Sequence, residues 1–504
     1  MSRDRYFEIS IFDSYLILPN SLSKLATAFN VTGKLSFNVL NNNQADLNDP
    51  AFRSELLTYN KQDCKVLYDV LITFNNNFKD LFHMSIFNSP TLPSLAFKLW
   101  KSNFVDNELF IPITWAEDYN EYKSGYKGGA VDVYKPYGKD LYYYDVNSLY
   151  PSTMRSNLFP TGDGYKITGD IWPLSKIFGL VKCKVTTPDN LYAPILLNKD
   201  SNGRVTAPSG TWIDWYCSEE LKLAVKYGYK VEVLKAYHWE SQSDLFSGYV
   251  DTLYNYRLTF PKSDPRNTIC KLLLNSLYGK FGMSPTIMEY SIWKEFESLA
   301  DIEYDDKQDI GDITLIGREE TKNNYLIFKY CQDKKEKYNL LEISTPIAIF
   351  TTAYSRMLMA EYKIKYSSNL YYSDTDSLVL DCLLPDHMVG DQLGQFKLEY
   401  EIKEGVFLGP KVYGLRFHDD IAGGTDYIKV KSLKNPNIQV SFEDLKGLLF
   451  KDSFIKLQQD KWFRFLPHSN IKILNSLYIL RATENKRTFN YKDGVIIDTK
   501  PFVI

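Results

Sequence analysis

The sequence predicts a multidomain protein of mixed helix and sheet, in the α/β (α+β) class. Its 504 residues are several times what one compact core needs, so two or more domains are expected. Long apolar segments with helical spacing, such as TICKLLLNSLYGKFGM and IAIFTTAYSRMLMAEYKIKY, occur between aromatic strand segments such as DLYYYDV and NLYYSD. The chain therefore mixes both kinds of element along most of its length.

The composition excludes several protein classes. Hydrophobic residues make up 44% and charged residues 24% of the chain, an ordinary globular balance, and no run of eighteen apolar residues occurs. The opening MSRDRYFEIS resembles neither a secretory signal nor a transit peptide. Six scattered cysteines without a C-x-x-C pair argue against a zinc ribbon or a disulfide scaffold. The net charge of −3 does not indicate nucleic acid by itself, although Lys and Arg can be concentrated in one groove.

The first half of the chain is predicted to begin with short helical segments over residues 1 to about 110, including residues 55–71. The pair Gly128-Gly129 predicts a tight loop that leads into a strand at AVDVY. DLYYYDV predicts a strand that delivers Asp145 to a turn, with a helix after Pro151. Residues 165–255 are expected to mix strands and turns.

The second half begins with a buried helix at TICKLLLNSLYGKFGM, followed by a charged segment, residues 284–340, with strands of its own. IAIFTTAYSRMLMAEYKIKY predicts a long helix, and NLYYSDTDSLVLDCLL predicts a hairpin with a tight turn at Ser373-Asp374-Thr375. The last ~110 residues are expected to form a separate lobe of short strands and Lys-rich loops.

Three acids lie at turns, where a sheet can present a carboxylate without burying an unpaired charge. Asp145 ends an aromatic strand, and Asp374 and Asp376 share the hairpin turn. Phosphoryl transfer to a hydroxyl needs two divalent ions about 4 Å apart, and Mg²⁺ prefers oxygen ligands held on rigid elements. A D-x-D turn alone is more often a pair of solvated loop residues. The flanking residues therefore decide the interpretation.

Those flanking residues match three family motifs in order. Asp145-Val-Asn-Ser-Leu-Tyr-Pro resembles motif A of family B DNA polymerases, Lys271-Leu-Leu-Leu-Asn-Ser-Leu-Tyr-Gly resembles motif B, and Tyr372-Ser-Asp-Thr-Asp-Ser resembles motif C. The resemblance implies a right-hand polymerase with palm, fingers and thumb, which adds deoxynucleotides to a 3′-hydroxyl with two Mg²⁺ ions that Mn²⁺ can replace. It implies that Asp145, Asp376 and the carbonyl of Val146 bind metal, with Asp374 essential but less directly bound.

The same resemblance assigns residues to the incoming nucleotide. The backbone amides of Ser148 and Leu149 would cradle the triphosphate, and Tyr150 would exclude ribonucleotides by clashing with a 2′-hydroxyl. The motif B residues assigned to the phosphates and the nascent base pair are Lys271, Asn275 and Tyr278. A second phosphate contact could come from Arg257 or Lys262, or both could be solvated basic residues.

Two further strings resemble DNA-tracking motifs. Tyr126-Lys-Gly128-Gly129 is similar to the Y-x-G-G loop that grips single-stranded template, where glycines allow close approach to phosphates. Lys411-Val-Tyr413 is similar to the K-x-Y motif on the primer strand. The C-terminal string ATENKRTF…TKPF resembles the tails of linear-plasmid polymerases, and it suggests phosphate contacts by Lys486 and Arg487.

Residues 1–120 are expected to be the remnant of a ribonuclease-H-like 3′–5′ exonuclease domain. Tyr59 and Asp63 match its last motif, Y-x-x-x-D, which places both on one helix face. Lys34 resembles the lysine motif of that domain, and Ser14 resembles the segment that contacts a frayed 3′ end. The acids of the first two motifs are not found upstream, as expected of a fragment, a split gene or a decayed copy, and exonuclease activity is expected to be absent.

The spacers between the motifs indicate the subfamily. About 120 residues separate motifs A and B and about 90 separate motifs B and C, more than a minimal palm and fingers need. Protein-primed polymerases of linear plasmids and related phages carry insertions there, which predicts inserts near residues 192–247 and 284–337, within a palm and fingers over residues 121–400, and a thumb over residues 401–504. The implied partners are template and primer DNA, deoxynucleotides and a terminal protein, with no membrane.

The genome and the alternative functions are less closely defined. A/T-rich codons suggest a plasmid translated inside the mitochondrion, with a cytoplasmic plasmid or a phage as the alternative. The rival functional class is an inactive relic that only binds DNA or terminal protein, and a pure exonuclease is nearly excluded by the missing acids.

Overall fold

The computed structural model describes residues 12–36, 49–115, 117–169, 172–189, 191–200, 203–283, 286–294, 313–320, 325–333, 343–418, 426–433, 439–465 and 470–504. The chain forms two compact units. The first comprises Met1–Leu109, Met154–Ser156 and Asp244–Lys280. The second comprises Phe110–Thr153, Asn157–Ser243 and Phe281–Ile504.

Helices occur in both units. In the described ranges the α-helices are α1 (Leu22–Ala28), α2 (Pro50–Phe82), α3 (Leu92–Asn103), α4 (Tyr119–Gly125), α5 (Leu149–Ser156), α6 (Ser218–Lys226), α7 (Ser247–Thr259), α8 (Pro265–Phe281), α9 (Thr345–Lys365) and α10 (Phe442–Gly447). No helix among these residues is both long enough and apolar enough to cross a membrane.

The strands all belong to the second unit. They are β1 (Val131–Val133), β2 (Tyr137–Val146), β3 (Phe159–Thr161), β4 (Tyr165–Ile167), β5 (Gly179–Thr186), β6 (Asn198–Lys199), β7 (Val205–Thr206), β8 (Thr211–Cys217), β9 (Lys230–His238), β10 (Ser241–Ser243), β11 (Thr286–Lys294), β12 (Ile313–Glu320), β13 (Tyr325–Asp333), β14 (Leu370–Asp374), β15 (Ser377–Leu380), β16 (Phe396–Gly409), β17 (Val412–Phe417), β18 (Tyr427–Val430), β19 (Ile455–Phe465), β20 (Asn470–Leu480), β21 (Arg487–Lys492) and β22 (Val495–Pro501).

The first unit is built on α2, a helix of 33 residues. Asp49 caps its start by accepting a hydrogen bond from the N–H of Ala51, and Pro50 stands in the first turn, where its missing N–H costs nothing. The helix ends at His83, whose left-handed φ of 56° stops the chain from continuing. The predicted helix at residues 55–71 is confirmed, but it is part of a single helix of 33 residues and not a short segment.

The core of the first unit is aromatic. Phe74 and Phe78 on α2 are fully buried, with ring centroids 6.1 Å apart. Trp100 on α3 stacks on Phe246 at 5.3 Å and donates from its indole nitrogen to the carbonyl of Leu245 (2.8 Å). Tyr249 of α7 ties α8 to this core, because its hydroxyl donates to the carbonyl of Leu273 (2.9 Å).

The second unit is organised around a seven-stranded antiparallel sheet in the order β1-β14-β15-β2-β16-β17-β18. One face of this sheet packs on α9 through a cluster that includes Tyr144, Val146, Met359 and Phe396. A second sheet, β4-β9-β5-β8, packs with α6 and with Ala360 of the same helix. Helix α9 is therefore shared by two cores through neighbouring residues of its second half, and the residues of its first three turns are buried as well.

Two predicted boundaries fall within sheets. The boundary at residues 400 and 401 lies inside β16, which pairs with the motif A strand β2, so the predicted thumb begins within the central sheet. The predicted insert at residues 192–247 contains β8 and β9, which both pair with β5 upstream of it. In the other predicted insert, β11, β13 and β12 form a three-stranded sheet. The first unit ends at Leu109 in its N-terminal part, near the predicted limit of residue 120.

The C-terminal hairpin β21–β22 packs against the central sheet. Arg487 is only 3% exposed and donates to the hydroxyl and the carbonyl oxygens of Thr499 (2.7 and 3.2 Å). Its guanidinium lies 4.6 Å from the ring centroid of Tyr134 and 5.1 Å from that of Tyr192. Lys486 donates to the carbonyl of Val205. The expectation that these two cations contact phosphates was wrong for Arg487, because its guanidinium is buried and hydrogen-bonded to Thr499.

Candidate active site

The sheet register places the carboxylates of motifs A and C side by side. Asp145, near the end of β2, pairs with Ser377 on β15 and with Lys397 on β16. The N–H of Val146 donates to the carbonyl of Asp376 at 2.9 Å. Because directly paired residues of antiparallel strands share one face, the end of β2 and the turn before β15 present their acids at the same edge of the sheet.

The motif C turn is held by its own backbone and by Ser377. Thr375 has a left-handed φ of 60°, and the N–H of Asp376 donates to the carbonyl of Asp374 (2.7 Å). The hydroxyl of Ser377 accepts from the N–H of Asp374 (3.2 Å) and lies 3.2 Å from the hydroxyl of Tyr143. The turn is therefore rigid enough to fix where Asp376 stands relative to β2.

Nearby lysines offset the charges of the two acids only in part, since Lys397 lowers the pKa of Asp145 and Lys411 lowers that of Asp376, but burial outweighs both. Burial, followed by the charge of Asp376, raises the pKa of Asp145 to about 7. Burial also raises the pKa of Asp376. The neighbouring lysines are already engaged, since Lys397 pairs with Glu399 at 2.7 Å and Lys411 pairs with Asp374 at 2.8 Å. Within the described part of the chain, no cation forms an ion pair with either of the two acids.

This donor set fits a magnesium-type ion. Asp145 on β2, Asp376 in the turn before β15 and the carbonyl of Val146 would supply hard oxygen ligands, and a divalent cation would offset the charge of the two acids. Among the described residues, no group of three or more His, Cys, Asp or Glu side chains could hold a metal ion. Two carboxylates suffice where substrate phosphates supply further oxygens, as Mg²⁺ sites commonly require.

The motif A turn is shaped for a helix entry. Ser148 adopts a left-handed conformation (φ 54°, ψ 62°), and its carbonyl accepts the first helical bond of α5 from Ser152 (2.9 Å). Leu149 and the half-buried Tyr150 occupy the first turn of α5. Sequence reasoning missed Asn147, whose side chain donates to the carbonyl of Gly390 (2.7 Å) and braces the turn.

Motif B lies in the first unit. Lys271 and Asn275 are exposed on one face of α8, four residues apart, and Tyr278 is half-buried. Of the two further phosphate candidates, Lys262 is exposed and Arg257 is half-buried. Because the carboxylates belong to the second unit, a shared nucleotide contact of these residues stays a prediction.

The loop at residues 126–129, called here the Gly-Gly loop, contacts the motif C turn. A Cβ at Gly129 would lie 2.5–2.8 Å from side-chain atoms of Thr375, whereas one at Gly128 would meet no atom within 4 Å. The N–H of Thr375 donates to the carbonyl of Ala130 (2.9 Å). The second glycine is therefore required by close packing inside the protein, and Tyr126 and Gly128 remain the candidates for contact with template.

The K-x-Y motif is joined to motif C. The ammonium of Lys411 lies 2.8 and 3.0 Å from the two carboxylate oxygens of Asp374. The backbone N–H of Lys411 donates to the hydroxyl of Tyr372 (3.0 Å). Tyr413 is 3% exposed and packs against Tyr372 and Phe407. Lys411 thus remains about half exposed beside the carboxylates, while the ring of Tyr413 lies in the core of the sheet.

The exonuclease-like residues come together in the first unit. The ammonium of Lys34 lies 2.9 Å from Asp63 and 5.1 Å from the ring centroid of Tyr59. Hydrogen bonds with Tyr59 and Asp63 raise the pKa of Lys34. The other carboxylate oxygen of Asp63 is buried without a partner in the structure. Ser14 begins a short 3₁₀ helix at Ser14–Leu16, with Asp13 as its cap.

Comparison with known families identifies the family of the chain. The model of the family "DNA polymerase type B, organellar and viral" matches residues 42–369, about two thirds of the chain. The chain belongs to this family. The remaining comparisons concern individual proteins of known sequence or structure.

Fungal proteins are among the relatives of this chain. A probable DNA polymerase of Ascobolus immersus is 34% identical over 542 residues, covering 98% of this chain and 44% of that protein. One of Neurospora intermedia is 32% identical and covers 94% of this chain and 52% of that protein. The chain thus spans about half the length of the curated relatives it matches.

A solved structure shares the fold. The structure titled phi29 DNA polymerase complexed with single-stranded DNA superposes with a TM-score of 0.70 at 19% identity, covering 95% of this chain and 81% of that one. This similarity confirms the predicted right-hand polymerase fold of family B.

Proposed function

We propose that this family B chain catalyses template-directed addition of deoxynucleotides to a primer 3′-hydroxyl. The observation that carries the proposal is the pairing of β2 with β15, which sets Asp145 beside Asp376, with neither acid in an ion pair among the described residues. Divalent ions held by these acids and by the carbonyl of Val146 would activate the hydroxyl and stabilise charge on the transferred phosphate. The relatives named DNA polymerase support the same reaction class.

The motifs also imply which residues would bind the incoming nucleotide and the DNA. The amides of Ser148 and Leu149, at the start of α5, would bind triphosphate oxygens, and Tyr150 in the same turn would exclude a 2′-hydroxyl. The residues proposed for the nucleotide from motif B are Lys271, Asn275 and Tyr278. Those proposed for DNA are Tyr126, Gly128 and Lys411, whereas Gly129 and Tyr413, which the motifs also imply, are packed inside the protein.

We further propose that synthesis starts on a terminal protein. The long spacers between the three motifs support this, since they leave room for elements that dock a priming protein and separate strands. The fungal relatives agree with a linear plasmid replicated in a mitochondrion, and so does a composition of 38 Tyr and 30 Phe, residues whose codons are rich in A and T.

Primer extension with matched aspartate variants tests the proposal. Asp145→Asn and Asp376→Asn should each lower Mg²⁺-dependent incorporation by at least about 10³-fold, because an amide cannot replace an anionic ligand. Template affinity, measured by fluorescence anisotropy, should change little. Asp381→Asn is the control, since Asp381 follows β15 but is hydrogen-bonded to Asn369 (2.6 Å).

Two results would contradict the proposal. Retained extension by either active-site variant would show that the metal assignment is wrong. DNA binding without any extension by the unchanged chain would favour the alternative, an inactive relic that only binds DNA or terminal protein.

A further inference from the structure

A buried bidentate ion pair adjoins the Gly-Gly loop. Arg356 on α9 donates from Nε and Nη2 to the two carboxylate oxygens of Glu220 on α6, both at 2.7 Å. The side chains are 5% and 1% exposed. The remaining guanidinium nitrogen, Nη1, donates to the carbonyls of Lys127 and Gly128, the latter at 3.2 Å. One arginine therefore joins two helices to the backbone of the loop.

In a second ion pair, a side chain of the loop itself, Lys127, contacts Asp214. The ammonium of Lys127 lies 3.1 Å from Asp214, donates to the carbonyl of Trp215 (2.7 Å) and lies 4.2 Å from the ring centroid of Tyr216. Its side chain is 1% exposed. Lys127 therefore points into the protein, although it lies between two residues assigned to template.

These four charged residues, Lys127, Asp214, Glu220 and Arg356, are called the buried quartet below. Their formal charges sum to zero. A buried ion pair contributes little net stability compared with apolar residues of the same shape, because desolvation offsets the attraction. What a planar guanidinium does supply is direction, since its donors form a rigid fork. In the quartet that fork is aimed at the loop carbonyls.

The opposite end of the loop contacts the catalytic turn. Gly129 packs against the side chain of Thr375, the N–H of Thr375 donates to Ala130, and Val131 pairs with Asp374. A displacement of the loop would therefore change its contacts both with the template strand and with the turn that carries the motif C acids.

We propose that Glu220 and Arg356 are positioning residues that hold the Gly-Gly loop in its template-binding conformation against motif C. The role in template binding rests on the proposed polymerase function. The loop-holding role does not, because it concerns only the internal structure of the second unit. Neither residue is a catalytic residue, since each acts through the backbone of residues 127 and 128.

The test uses the full chain and three variants. Glu220→Gln/Arg356→Met removes both charges together, so neither is left buried alone. Arg356→Lys keeps the charge but cannot serve Glu220 and both carbonyls at once. Glu361→Gln is the matched control, because Glu361 lies on the same helix in an exposed pair with Lys226 at 3.3 Å. Hydrogen exchange is followed at residues 126–131 and at the N–H of Thr375.

In the double variant and in Arg356→Lys, exchange at these amides should be about tenfold faster, with the rest of the second unit within about twofold of the unchanged chain. The Kd for single-stranded template should rise about tenfold, and kcat at saturating template should also fall, by up to about tenfold, because the same loop contacts the motif C turn. The control should match the unchanged chain in all three measurements.

Unchanged loop protection and unchanged template affinity in the double variant would overturn the proposal. Global unfolding of both the double variant and Arg356→Lys would overturn it too, because the quartet would then be holding the unit rather than the loop. If the unchanged chain failed to extend primers, the polymerase proposal would fail, whereas hydrogen exchange would still decide the role of the quartet.

Discussion

Replacing Arg487 with methionine separates two accounts of the C-terminal string. In the structure the guanidinium is buried between Tyr134, Tyr192 and Thr499, so the substitution should weaken the attachment of the hairpin β21–β22. If Arg487 instead bound a phosphate, the substitution would leave stability unchanged and would weaken DNA binding. Methionine keeps a comparable apolar volume, so the contrast concerns the charge and its donors.

The magnitude follows from the contacts that are lost. Hydrogen bonds from a charged donor contribute about 1.5–3 kcal/mol each, and a desolvated cation–π contact contributes about 2 kcal/mol. The desolvation of a buried guanidinium offsets a large part of this sum. We expect a net loss of roughly 3 kcal/mol, which for a large unit lowers the melting temperature by roughly 6 °C.

Thermal melting and the salt dependence of DNA binding are measured on the same samples. Each phosphate contact contributes about 0.7–0.9 to the slope of log K against log salt, and the slope should be unchanged in Arg487→Met. Arg481→Met is the control, because Arg481 is exposed nearby, and its stability should stay within about 0.5 kcal/mol. An unchanged melting temperature with a slope reduced by about one contact would refute the structural account.

Three further substitutions address the sites. Tyr150→Val should raise ribonucleotide incorporation about tenfold or more, a change of about 1.4 kcal/mol in the barrier, and an unchanged sugar preference in competition assays would point to another gate. A 3′-mismatched, end-labelled primer should not be shortened with Mg²⁺ or Mn²⁺, because Asp63 is the one carboxylate matched to the exonuclease motifs and a single carboxylate holds Mg²⁺ only weakly; shortening that disappears in Asp63→Ala would contradict this. Gly129→Ala should lower extension about tenfold by pushing on Thr375, measured against Gly128→Ala, which has free space and should do less.

The local parts of this structure could be predicted from sequence. The strand before Asp145, the hairpin of motif C and the long helix α9 each follow from a short pattern of apolar spacing and turn residues. The helix face shared by Tyr59 and Asp63 followed from spacing as well, and Lys34 does meet both in the structure. In these cases the information lies within a few residues.

The non-local parts could not be predicted in this way. The residues near Phe396 contain no pattern that indicates that β16 pairs with β2, about 250 residues earlier. The domain boundary predicted at residues 400 and 401 therefore lies inside a strand. From the sequence alone, nothing distinguishes three charged residues from ordinary surface charges, although the fold brings them together in the protein interior: Asp214, Glu220 and Arg356. Arg487 was assigned to phosphate for the same reason, since a basic residue beside a lysine gives no sign of burial.

The strand order of the central sheet also bears on how the protein is made. Asp145 leaves the ribosome on a strand rich in tyrosine, and its partner Ser377 is synthesised about 230 residues later. At about 5–20 residues per second the motif A strand waits roughly 10–50 s for its neighbours. During that interval its hydrogen-bonding edges are unpaired and open to association with other nascent chains. We expect the yield of folded protein to depend on rapid synthesis or on chaperones that shield residues 137–146, because the two acids meet only after most of the chain has emerged.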